Sequence, residues 1–166
     1  VSIASEDLHK AIASLWSSSG LDATFKALWD SGVAESEWLS LNDQEAYPKQ
    51  PFPYCVFEQS PGSTTDRMSG GTDSLQEIRD IPWDFRVHAR AIDGDSRTAK
   101  EIAADLNEEI MKVFGGHPTE SPTDLILDNG NFLIAQYQND YGVRTGDSEY
   151  MWIVSYVFRL DVPVAV

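Results

Sequence analysis

The run EYMWIVSYVFRLDVPV, Glu149 to Val164, constrains this chain more than any other stretch. Taken in steps of two, Trp152, Val154, Tyr156, Phe158, Leu160 and Val162 fall on one side, and Met151, Ile153, Ser155, Val157, Arg159 and Asp161 on the other. Strand side chains alternate between faces, so a segment this long with one wholly apolar face belongs in the middle of a sheet. The second face mixes three large apolar residues with Ser155, Arg159 and Asp161. It is covered either by the chain's own loops and first helix or by another molecule.

The segments around it set the fold class. Ser5 is an N-cap candidate with Glu6 and Asp7 in the first turn, and Leu8, Ile12, Leu15 and Trp16 recur at helical spacing until Gly20, which predicts a helix over 5–18. Helix resumes around Ala23 to Leu28, and 35–50 reads as an irregular loop ending in prolines. Strands are expected over 53–59 and 78–92. In the second of these, Trp83, Phe85, Val87, Ala89 and Ala91 alternate with polar residues, and Pro82 points to a sheet edge or a bulge. Between them SPGSTTDRMSGGTDS, 60–74, has little to bury and reads as a mobile loop. Asp95 or Ser96 is expected to cap a helix over 96–114 whose inner stripe is Ala99, Ile102, Ala103, Leu106, Ile110 and Val113, stopped by Gly115-Gly116. Strands over 123–127 and 132–138 around the hairpin signal Asn129-Gly130, a turn over 140–148 and the strand 149–162 complete the chain. This order predicts a single α+β domain: an antiparallel or mixed sheet with the long helix packed on one face, over Trp152, Val154, Tyr156, Phe158 and Leu160, plus an N-terminal helix.

Twelve basic against 27 acidic residues give a net charge of −15, which repels nucleic-acid phosphates and argues against a sequence-reading DNA binder. The N-terminal VSIASEDLHK lacks the features of an export signal, and MWIVSYVF is far too short to cross a bilayer, so synthesis in the cytoplasm and no membrane partner are expected. The single Cys55 excludes an intramolecular disulfide and, among apolar neighbours, reads as a small core residue.

A search for chemistry finds little. Asp93-Gly94-Asp95-Ser96 begins like a calcium loop, but the twelfth position is Ala104 where a bidentate acid is needed. His9, His88 and His117 lie on different elements at no zinc-ligand spacing. Ser69-Gly70-Gly71 has no evident base, and no phosphate-cradling motif occurs. No catalytic residue, cofactor or metal is expected. One charge feature remains: Arg86, His88 and Arg90 share a strand face, either paired with acids on a neighbouring strand such as Glu58 or forming a docking face for an acidic surface. On the long helix, Glu101, Asp105 and Glu109 read as a solvated face, offset by Arg97 with Glu101 and Glu108 with Lys112.

The helix at the N-terminus, the strand Pro51-Phe52-Pro53-Tyr54-Cys55-Val56-Phe57-Glu58, the loose segment after it and the strand Trp83-Asp84-Phe85-Arg86-Val87 form a recognisable order. With the helix of Thr98-Ala99-Lys100-Glu101-Ile102 and the closing Tyr156-Val157-Phe158-Arg159-Leu160, the chain resembles the tail terminator (tail completion) proteins of long-tailed bacteriophages. The resemblance implies a virion protein without enzyme activity. It implies a ring, usually of six copies, that caps the tail tube, ends its polymerisation and joins the tail to the DNA-filled head. Its partners would be copies of itself, the tail tube protein and the head-neck connector protein, and DNA would pass through an acidic lumen without specific binding. On this view Arg86, His88, Arg90, Met151, Ile153 and Val157 contact the neighbouring subunit, and Asp66, Arg67, Met68, Ser69, Gly70 and Gly71 dock on the tube or the neck. The rivals are another ring-forming connector of the same particle and, from a different class, an acidic DNA mimic.

Overall fold

The computed structural model describes residues 3–29, 39–46, 50–62, 64–70, 74–117 and 125–163. In chain order these form α1 (Ile3–Ser18), α2 (Leu21–Lys26), β1 (Leu41–Asp43), β2 (Tyr54–Gln59), β3 (Thr64–Gly70), β4 (Ser74–Arg90), α3 (Ala99–Phe114), β5 (Asn131–Arg144) and β6 (Glu149–Pro163). The fold is α+β. One mixed sheet runs β1-β2-β4-β6-β5, with β3 also paired to β4, and only the β1-β2 pair is parallel.

The two long alternating runs are the centre of the sheet. β4 and β6 are antiparallel along their lengths, with Phe85 opposite Val154, Trp83 opposite Tyr156 and Ile81 opposite Phe158. All six of these side chains are buried on one face, and the described helices lie against that face. α1 supplies Leu8, Ala11, Ile12, Leu15 and Trp16, an unbroken i, i+3, i+4, i+7, i+8 stripe; α3 supplies Ile102, Ala103, Leu106, Ile110 and Phe114. Aromatic rings knit the layers: Phe114 sits 4.9 Å from Phe85, and the buried Tyr156 hydroxyl donates to the carbonyl of Gly115 at 2.6 Å. Met151, Ile153, Ser155 and Val157 point to the opposite face.

Local chemistry sets the helix ends. α3 is capped by Thr98, not by Asp95 or Ser96: the Thr98 hydroxyl accepts from the Glu101 N–H, and the Glu101 carboxylate accepts from the Thr98 N–H. Asp95 is instead spent on Arg97, whose backbone N–H and guanidinium both donate to it. That neighbour holds the Asp95 carboxyl down at about 2. The helix therefore starts at 99, three residues later than predicted. Arg97 also reaches Asp105 at 2.9 Å and Lys112 reaches Glu109 at 2.8 Å, which replaces the pairings expected from sequence.

Other departures have identifiable causes. The predicted mobile loop 60–74 is wrong over 64–70, where β3 pairs antiparallel with the first seven residues of β4, Thr64 opposite Asp80 through Gly70 opposite Ser74. That pairing also pulls the start of the second strand back from 78 to Ser74. Pro82 explains where β2 and β3 part. β2 ends at Gln59 opposite Trp83, β3 begins opposite Asp80, and the Ser60 N–H donates to the Pro82 carbonyl at 2.9 Å. In an antiparallel ladder a residue's N–H and C=O point the same way, so the donor that proline lacks falls opposite this interruption.

The predicted strand 123–127 is not one over its described part. Leu125 is buried, Ile126 is 86% exposed, and the bend that follows is pinned to α1, with the backbone and side-chain amides of Asn129 donating to Asp7 at 3.1 Å. Asn129-Gly130 therefore makes no hairpin. The predicted turn 140–148 shrinks to four residues, because β5 runs on to Arg144. Within 35–50, Leu41–Asp43 form the short parallel strand β1.

Candidate functional site

The sheet face turned away from the described helices is where the sequence placed most of its candidate contacts. A row across four strands on this face reads Tyr141, Ile153, Arg86, Val56, and the next reads Val143, Met151, His88, Tyr54. At the β2 end the segment Gln44–Ala46 folds over the sheet. Together with Tyr54, Val56, Arg86, His88, Met151 and Ile153 it encloses an open groove of about 420 Å³. At the β5 end the face is bare, with Tyr141 50% and Val143 39% exposed.

Arg86, His88, Met151 and Ile153 are thus brought together. The Arg86 guanidinium meets Glu58 at 2.5 Å, and Asp84 lies at 4.0 Å. This is the cross-strand pairing raised from sequence, and at partial exposure it contributes about 0.2–1 kcal/mol. His88 stacks on Tyr54 with centroids 4.8 Å apart and 14° between the rings; burial, and then the adjacent Arg86 charge, push its pKa below the ordinary imidazole value. The groove therefore favours the neutral form of this ring, beside an arginine already paired. Arg90 sits beyond its rim, with its guanidinium 3.8 Å over the Phe52 ring and paired to Glu149.

Val157 lies apart from the groove, four residues further along β6 and opposite Pro82 and Gln136, about 13 Å from Ile153. Asp66 to Gly70 are further still: Asp66 pairs with Ile78, eight residues along β4 from Arg86, or about 26 Å. Gly71 lies outside the described residues. The two groups of candidate residues therefore occupy opposite ends of one long strand.

Sequence reading missed Tyr54, Val56 and Gln44–Ala46 as groove walls and missed Tyr141 and Val143 altogether. The alternation of Tyr54 and Val56 in PYCVFEQ carried that signal for β2. For β5 the signal was hidden by register shifts between Phe132 and Ile134 and between Tyr137 and Asn139, which break the two-residue period. Besides its ladder to β6, β5 is tied to the rest of the subunit by Asp140, which faces the helices. It accepts from the Trp152 indole at 2.7 Å, from the buried Asn107 amide at 3.2 Å and from the Tyr137 hydroxyl.

Cys55 is fully buried, and burial pushes its thiol far above the usual range. Among the described residues no group of three or more His, Cys, Asp or Glu side chains is placed to hold a metal, and no helix is long and apolar enough to cross a membrane.

No protein-family model matches the chain, and no curated protein matches it. Among solved structures it is similar to a chain of the virion of a native gene transfer agent particle. The two share 18% identity over 74% of this chain and 78% of that one, with a TM-score of 0.43.

Proposed function

We propose that the chain is a virion structural protein of the tail terminator kind. Copies close into a ring, of six by the sequence resemblance, that caps the tail tube, ends its polymerisation and presents the surface to which the head attaches. The observation that carries this reading is the β5 end of the sheet face turned away from the described helices: Tyr141 and Val143 are exposed there beside the half-buried Met151, and no described element of the chain covers them. Contiguous apolar surface of that kind is an interaction surface, and a ring needs each copy to offer two different surfaces that meet head to tail. The charge of −15 supports the second half of the proposal, because DNA slides past an acidic lumen without the counterion release that drives it onto basic surfaces.

On this reading the half-buried Met151 and Val157 contribute apolar contact, whereas Ile153, expected from sequence to do the same, is already buried within its own subunit at 8% exposure. Arg86 and Arg90, paired within their own subunit, fix register more than they attract a neighbour. The β3–β4 hairpin, about 26 Å from the groove, is the surface offered to tube or neck. Excising 66–71 would remove most of a strand, so substitutions within it are the better probe.

The test is a tube-capping assay. Added to polymerising tail tube protein, the purified chain should arrest growth and appear as a ring at one end in electron micrographs. Met151→Glu, at a half-buried position, should keep the fold and lose capping. Tubes that grow unchecked in the presence of the wild-type chain would refute the proposal. Binding to head necks but not to tubes would favour the other connector reading.

A further inference from the structure

The groove face leads to an edge that carries the least protected surface of the molecule. Four of the six exposed large apolar side chains among the described residues, Leu133, Ile134, Tyr141 and Val143, lie on β5. β5 is 14 residues long and, among the described residues, pairs on one side only, with β6. A bare strand edge is a template for another chain, and proteins that stay monomeric guard such edges with lysine, proline, outward charge or bulges. The two register shifts of β5 fall between Phe132 and Asn139 and leave Asn139–Arg144 in regular ladder. β5 contains neither lysine nor proline. Its one aspartate is turned inward onto Trp152 and Asn107, and its one arginine is the terminal residue.

The sheet has a second open edge of matching sense. At the level of Ile78, β4 is flanked by Asp66 of β3 on one side, and Asp161 of β6 and then Asn131 of β5 on the other. There the sheet is four strands wide among the described residues, β3-β4-β6-β5, and within that set both outer strands pair on one side only. β5 is antiparallel to β6 and β6 to β4, so β5 runs parallel to β4; β3 runs antiparallel to β4. The two outer strands therefore run antiparallel to each other. A second copy set beside the first by rotation, with its sheet facing the same way, presents β3 to β5 in the antiparallel sense, the commoner and more stable pairing.

We infer that β5 of one copy pairs antiparallel with β3 of the next, so that the sheet continues from subunit to subunit. The contact is heterologous and uses both open edges. A two-fold β5-to-β5 contact would use one and stop at a dimer with β3 bare. At equal level the added strand faces the Asn131–Ile134 end of β5, where Leu133 and Ile134 are exposed, and a shift of about 20 Å along the strands, the six residues from Asp80 to Arg86, brings it against Tyr141 and Val143. A stagger between neighbours, as strands tilted around an axis require, decides which residues of β3 meet which of β5. This inference rests on the ring reading and supplies its contact.

Cysteine pairs test it without altering the native thiol, because Cys55 is sealed in the core. Variants carrying Ile134→Cys or Tyr141→Cys on β5 are each mixed with separately purified Thr64→Cys or Asp66→Cys on β3, positions in register with Asp80 and Ile78 and so on the same sheet face as Ile134 and Tyr141, then oxidised gently. A two-chain disulfide product should form in at least one mixture and not in any variant alone. In parallel, Tyr141→Lys should raise the concentration at which rings form by about tenfold or more while leaving the thermal midpoint of the subunit in place. Rings that persist unchanged in Tyr141→Lys and give no mixed cross-link overturn the edge pairing and leave the ring reading standing. Cross-linking of a β5 variant with itself alone would replace it by the two-fold contact. A wild-type chain that stays single at every concentration removes the ring reading, and this contact with it.

Discussion

Replacing Asp140 by alanine tests whether one carboxylate fastens β5 to the rest of the subunit. The side chain takes three neutral donors from three places: Trp152 on β6 at 2.7 Å, Asn107 on α3 at 3.2 Å, and Tyr137 on its own strand. Asn107 is 2% exposed, so its amide would keep only the weak Met111 Sδ acceptor at 3.3 Å and gain no water; a buried N–H left without its acceptor costs about 1–3 kcal/mol. Trp152 and Tyr137 are half-buried and recover part of their bonding from solvent, at about 0.5–1.5 kcal/mol each. The expected loss is about 3 kcal/mol. With a denaturant slope near 2 kcal/mol per molar urea, that moves the unfolding midpoint down by about 1.5 M. A double-mutant cycle with Trp152→Phe separates the carboxylate's bonds from general packing, and the two changes should couple by about 1 kcal/mol or more. A loss under about 0.5 kcal/mol, or strict additivity with Trp152→Phe, would refute the idea that Asp140 organises this edge.

Burial, then the bond to Asp140, push the Tyr137 hydroxyl up to about 12. The folded state thus favours the neutral phenol; the resulting stability is whole below the ordinary tyrosine value near 10 and is lost as pH rises through about 12. Tyr137→Phe should flatten the alkaline fall in stability over that window in pH-dependent melts, and an unchanged profile would count against the assignment. Gly142→Ala places a Cβ 2.5 Å from the Tyr150 ring and 2.8 Å from the Trp152 ring, so a melt should show a loss of about 1–3 kcal/mol; a neutral result would mean both rings move freely. Thr98→Ala removes the side-chain half of the capping box and should cost about 1 kcal/mol in urea titrations, whereas Ser96→Ala should cost nothing measurable.

The elements read correctly from sequence are those whose pattern had one explanation. The alternation of Trp83, Phe85 and Val87, and of Val154, Tyr156 and Phe158, fixed two strands and their buried faces, because a slip of one residue would turn every aromatic to water. Where a second explanation existed, the local one misled. Asn129 and Gly130 look like a hairpin turn, yet Asn129 is consumed by Asp7, more than a hundred residues away. Asn139, Asp140 and Gly142 look like loop residues. In the structure Asp140 is a tertiary fastener, and Gly142 leaves room for two aromatic rings. The polar run Thr64 to Gly70 has no hydrophobic period and becomes a strand through its backbone pairing with β4. The candidate site was legible to the same degree. Counting alone put Arg86 with His88 on one strand's face and Met151 with Ile153 on another's; their meeting with each other, and with Tyr54, Val56 and Gln44–Ala46, depends on strand order, which no local pattern states.

The central claim is that this subunit works by joining copies of itself around an axis. Native mass measurement across a concentration series tests it most directly. The account predicts a closed species at an integral multiple of 18.5 kDa, six copies by the sequence resemblance, dissociating when Tyr141 becomes lysine. A particle of one copy at all concentrations, unchanged when tail tubes are added, would contradict it.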